Sequence, residues 1–163
     1  MGTDKIVEIL DKAIDTLYEI DGHLLLKAYN VHERTVTSLI ARYIWAELED
    51  DSVSVDVEYN RMRSDYSDDS EDDIQAYISK RLNLAEYERG WTNVMPDIII
   101  HERNSDKNYA IIEVKMGWKN EAKQFDYIKI NEYMNQLGYN VGLYIELHEE
   151  RSDVVIEHGP FKI

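Results

Sequence analysis

Two apolar runs joined by a short polar stretch constrain this chain more than any other feature. Ile98-Ile99-Ile100 and Ile111-Ile112, continued by Val114, are apolar at successive rather than alternate positions. Strands of that kind are buried on both faces, so the pair predicts a hairpin at the centre of a sheet. Residues 102–108 supply the polar turn, and Pro96 stands just ahead of the first strand, where a missing N–H is tolerated. Asp97 and Glu113 are built into this hairpin. A carboxylate in such a place is costly unless it has a partner or a purpose.

The remaining elements can be read around the hairpin. Ile6, Ile9, Leu10, Ala13, Ile14 and Leu17 make a helical stripe over residues 4–20, which Asp21-Gly22 ends. Asn30 followed by Glu33 has the form of a capping box for a second helix reaching about Leu48. Val53, Val55, Val57 and Tyr59 alternate with polar residues as a half-buried strand, which turns Asp56 and Glu58 to solvent, with Glu58 at the border of the site as the alternative. Residues 64–73 read as a solvated loop, followed by a short helix around 73–86. The return strand of the hairpin covers 109–115. A helix over 121–137 ends at Gly138, Val141 to Leu147 alternate as a fourth strand, and Val154–Ile156 suggest a fifth. A helix between two strands of one sheet makes them parallel. The expected fold class is therefore α/β: a mixed sheet with helices on both faces, in one domain spanning 1–163.

Centring the hairpin turn on Ser105 sets Asp97 opposite Glu113, Ile98 opposite Ile112 and Ile99 opposite Ile111. Opposed residues have Cβ atoms roughly 4.5–5.5 Å apart. Two carboxylates that close repel unless a cation or proton joins them. Lys115 lies two residues beyond Glu113 and projects from the same face. Two hard oxygen ligands and an ammonium group on one patch suit Mg²⁺ or Mn²⁺, with the Val114 carbonyl as a further ligand.

Pro96-Asp97, fifteen intervening residues, then Glu113-Val114-Lys115 resembles the PD-(D/E)XK nuclease superfamily. The order helix, three strands, helix, strand from about Asn30 to Leu147 is similar to that family's restriction-endonuclease-like core, here with an extra N-terminal helix and an acidic insertion at about 62–90. The resemblance implies metal-dependent hydrolysis of phosphodiesters. Asp97 and Glu113 would hold the ion, and Glu33 on the preceding helix would help position it or a second one. Lys115 would orient the attacking water or stabilise the phosphorane. On the later helix Lys129 would take part, Gln124 less so, against the bland alternative that Lys129 is a solvated helix residue. DNA is the first substrate to consider, with RNA and branched DNA open, and family members often act as homodimers.

Charge complicates the choice of partner. The net charge is −15, and residues 47–73 hold 12 acids against Arg61 and Arg63, a net of −10. A nucleic-acid enzyme of this composition needs a local basic face, for which Lys115, Lys119, Lys123 and Lys129 are the candidates. The alternative is a catalytically degenerate fold that binds a protein through the acidic insertion or mimics nucleic-acid charge. The chain has no cysteine, which excludes disulfides and thiolate metal sites and suits a reducing, cytoplasmic setting. The five histidines show no metal-ligand spacing.

Overall fold

The structure, a computed structural model, describes residues 1–58, 61–63, 77–79, 81–83, 91–93, 95–119 and 123–163. Helices α1 (Thr3–Asp21) and α2 (Glu33–Ala46) bury the apolar stripes expected of them. Strand β1 (Val53–Val57) follows, then four short strands, β2 (Arg61–Arg63), β3 (Tyr77–Ser79), β4 (Arg81–Asn83) and β5 (Trp91–Asn93). The hairpin strands are β6 (Ile98–Glu102) and β7 (Asn108–Met116). Helix α3 (Gln124–Leu137), β8 (Val141–Leu147) and β9 (Val155–His158) complete the order.

Five strands form one mixed sheet in the order β1-β6-β7-β8-β9, with β7 and β8 parallel and the other neighbours antiparallel. The doubly apolar strands β6 and β7 occupy the interior of that order, as their sequence requires. One core cluster joins α1 and α2 to Ile98, Ile100, Ile112 and Val114; a second joins α3 to Ile99, Ile111 and Tyr144. From Ala110 to Met116, odd-numbered residues of β7 therefore face α3, and even-numbered ones face α1 and α2. Gly138 ends α3 in the left-handed region (φ 67°). At Gly142 a Cβ would overlap Ile130 and Met134, so α3 can press directly onto β8. Among the described residues no helix is long and apolar enough to cross a membrane.

Three expectations need correction. Around 73–86 the described segments are strands, not helix: β3 pairs with β2, and β4 with β5. Backbone partners outside the segment override a local pattern that suited a helix. The solvated loop expected at 64–73 lies outside the described residues, as does most of the 62–90 insertion. Asn30 does not cap α2; it closes a short 3₁₀ turn in the left-handed region (φ 46°), and His32 is the N-cap, its Nδ1 accepting from the Arg34 N–H at 3.3 Å. Asp56, finally, is not turned to solvent. It lies 2.8 Å from His101 Nε2 and accepts from Arg103, and its side chain is only 13% exposed.

Burial alone would raise the Asp56 carboxyl, but His101 and Arg103 outweigh it and hold the group down at about 2, from an ordinary 3.8. The stability this contributes is complete above 3.8 and is lost as pH falls from there to about 2. Asp56→Asn should therefore cost roughly 2 kcal/mol in urea unfolding at pH 7 and far less at pH 2. Equal losses at the two pH values would contradict the assignment.

Candidate metal centre

Strand β7 outruns its neighbour β6. Ile98, the first residue of β6, pairs with Ile112, which leaves the far end of β7 without a β6 partner. By strand alternation Val114 and Met116 turn their N–H and C=O groups to that open edge. Carboxylates fill it. Asp97 Oδ2 accepts from the Val114 N–H at 2.8 Å, and Glu33 Oε2 accepts from the Met116 N–H at 3.2 Å. The Val114 carbonyl, expected as a metal ligand, lies on the same edge as Asp97. The register from Ile98 to Ile100 is the expected one and shifts only at His101. Glu58 ties this corner together, donating its N–H to the Asp97 carbonyl at 3.2 Å and meeting Arg34 at 2.7 Å.

Glu113 points to the α3 face and has no solvent exposure. Its Oε2 lies 2.6 Å from Lys129 Nζ as an ion pair, and neither carboxylate oxygen has a hydrogen-bond partner among the described residues. Lys129 is thus buried rather than solvated, and it also lies 3.6 Å from Asp126. Lys115 stands between Glu33, at 3.5 Å, and Asp126, at 3.6 Å. Gln124 is exposed. The residues brought together are therefore Glu33, Asp97, Glu113, Lys115 and Lys129, joined by Asp126. Sequence reasoning missed Asp126 as a member. Its signal was helical spacing: positions 126, 129, 130 and 133 share one face, so the stripe that buries Ile130 and Tyr133 also buries Asp126 and Lys129.

The chain matches no family model, no curated protein and no solved structure. The chemistry of the cluster must be argued from its own atoms.

Four carboxylates face two ammonium groups, a surplus of two negative charges when all are ionised. Desolvation raises the Glu113 carboxyl well above its ordinary value, with Asp97 and Asp126 adding to the effect against Lys129. Desolvation also raises Asp97, against the Val114 hydrogen bond and the two lysines. Burial opposes the Lys115 ammonium, but Asp126, Glu33, Asp97 and Glu113 together more than reverse this, and its pKa ends above that of a free lysine. Among the described residues no three acid or imidazole side chains converge as a complete metal cage. A Mg²⁺ site does not need one, because that ion commonly takes one or two carboxylates and keeps waters. An orphaned buried carboxylate oxygen beside Asp97 and a local excess of negative charge fit such an ion.

Lys129→Met would leave Glu113 buried without its cation and should cost roughly 3–5 kcal/mol at pH 8. Below the ordinary carboxyl value of 4.5 Glu113 is neutral folded or unfolded, so the deficit should shrink as pH is lowered toward that value. Urea unfolding at pH 8 and pH 5 measures this, and adding Glu113→Gln to Lys129→Met should recover much of the loss. A pH-independent deficit would assign Lys129 a packing role only.

Proposed function

We propose that this chain is a metal-dependent phosphodiesterase of the PD-(D/E)XK nuclease superfamily, with a restriction-endonuclease-like fold, acting on nucleic acid and first of all on DNA. The observation that carries the reading is Glu113, a fully buried carboxylate with an oxygen lacking a hydrogen-bond partner, set beside Asp97 and Lys115. Asp97, Glu113 and the Val114 carbonyl would hold Mg²⁺ or Mn²⁺, with Glu33 at the rim to position it. When bound, the ion would polarise the phosphate and lower the pKa of a coordinated water. Lys115 stays an ammonium group, so its part is to orient the attacking water or balance charge on the phosphorane, not to act as a base. Asp126 and Glu33 hold Lys115 from two sides, which fixes the direction of its positive charge. Lys129, 2.6 Å away, opposes the burial that raises the Glu113 carboxyl.

One observation favours a second reading, a catalytically degenerate fold that serves as an acidic binding module. Lys129 already meets Glu113, and Lys115 already meets Glu33 and Asp126, so the acids have cations of their own. Metal binding separates the two.

Calorimetry of the nuclease should show Mg²⁺ or Mn²⁺ binding that releases protons and weakens as pH falls, because ion and proton compete for Asp97 and Glu113. No binding at any pH would favour the binding module. With the metal present, the protein should cut at least one of duplex, branched or single-stranded DNA, or RNA. Lys115→Ala should lower that rate by roughly 10²–10³-fold, and Asp97→Ala should abolish it. Cleavage that persists unchanged in both variants would sink the site.

A further inference from the structure

On the β8 side of Lys115 the cluster opens into a cleft of about 80 Å³, lined chiefly by Lys115, Lys119, Lys123, Gly117, Tyr144 and Glu146. Three ammonium groups and one carboxylate line it, in a chain whose net charge is −15; at its edges Lys115 also meets Glu33 and Asp126, and Lys123 lies 3.9 Å from Glu157. Lys123 Nζ is held 2.5 Å from Glu146 and 5.1 Å from the centroid of the Tyr144 ring. No carboxylate among the described residues lies within ion-pair distance of Lys119. Lys123 also stands at the N-terminus of α3, which has no side-chain cap and whose first-turn N–H groups carry partial positive charge. The cleft wall is closely built: a Cβ at Gly117 would overlap the ring of His148, which in turn lies 3.1 Å from Glu146.

Register places this cleft relative to the carboxylates. Glu113 pairs with Tyr144, and Lys115 with Glu146, so the cleft, lined by Lys115, Tyr144 and Glu146, adjoins the β7 residues of the centre. A phosphodiester chain whose reacting phosphate sits at Asp97 and Glu113 can therefore lay its next phosphate between Lys119 and Lys123.

We infer that the cleft is a second phosphate site, taking the backbone phosphate that flanks the scissile one, and that Glu146 occupies Lys123 until a phosphate displaces it. The inference rests on the nuclease reading for the identity of its ligand. The preferred substrate then carries two adjacent phosphates, and a lone phosphodiester is a poor one.

Binding of a fluorescein-labelled single-stranded oligonucleotide in EDTA tests this without metal or cleavage. Lys119→Gln and Lys123→Gln should each weaken binding severalfold and reduce the slope of log affinity against log salt by about 0.7. Glu146→Gln should tighten binding severalfold, a gain that misfolding does not produce. Lys107→Gln and Glu102→Gln, at the hairpin turn on the opposite end of the sheet, are the charge-matched controls. Cleft variants that track these controls overturn the site. So does equally tight competition by inorganic phosphate, which would mark a free-phosphate pocket. In the cleavage assay, adding a terminal phosphate to a dinucleotide should lower KM and leave kcat unchanged, an advantage lost in the Lys119→Gln/Lys123→Gln double variant. If the wild type cuts nothing while Glu146→Gln still tightens binding, the nuclease reading fails and the phosphate site stands. If the wild type cuts and the cleft variants match the controls, the reverse holds.

Discussion

Burial of Glu113 between the sheet and α3 is the constraint on which the rest of this structure depends. A carboxylate withdrawn from water needs a compensating cation, and α3 supplies one by turning Lys129 inward at 2.6 Å. That demand sets the rotation of α3. The same face then carries Asp126 down onto Lys115, while Ile130 and Tyr133 seal the second core. Replacing the Glu113–Lys129 pair with apolar residues would make an easier core. Its presence, with both Glu113 oxygens left without a hydrogen bond, is the feature on which the proposed metal site rests.

The second organising feature is the unequal length of β6 and β7. Where β6 begins late, β7 exposes main-chain donors, and Asp97 and Glu33 take them. These carboxylates are fixed by the backbone rather than by flexible side-chain contacts, so the open edge becomes a rigid, acid-lined rim. Lysines gather just beyond it, on the β8 side. A strongly acidic chain can thus present a basic cleft beside an acidic centre, with Lys123 restrained by Glu146. Overall net charge is a poor guide to such a surface; the few ångströms around the cluster decide.

Much of this arrangement was legible in the sequence because strand periodicity is strict. The doubly apolar runs placed β6 and β7 inside the sheet, and one assumption about the turn yielded the register of Ile98 to Ile100. Lys115 then followed by alternation. Helix faces were read less well: Lys129 was weighed as a surface lysine because its charge was given more weight than its spacing from Ile130 and Tyr133. The N-terminus of α2 was misplaced because Asn30 suits a left-handed turn as well as a cap, and only the tertiary path chooses between them. Asp56 was set outward by alternation along β1, without the means to see His101 and Arg103 approaching from β6 and its turn. The short strands at 77–79 and 81–83 depend on pairing with 61–63 and 91–93, outside the segment itself, which its own pattern does not carry.

The most direct test of the central claim is anomalous diffraction from crystals soaked in Mn²⁺ near pH 8. The account predicts an anomalous peak within bonding distance of carboxylate oxygens of both Asp97 and Glu113, absent in crystals of Asp97→Asn. A Glu113 carboxylate still seated on Lys129 with no peak beside it, in crystals that bind Mn²⁺ elsewhere, would contradict it.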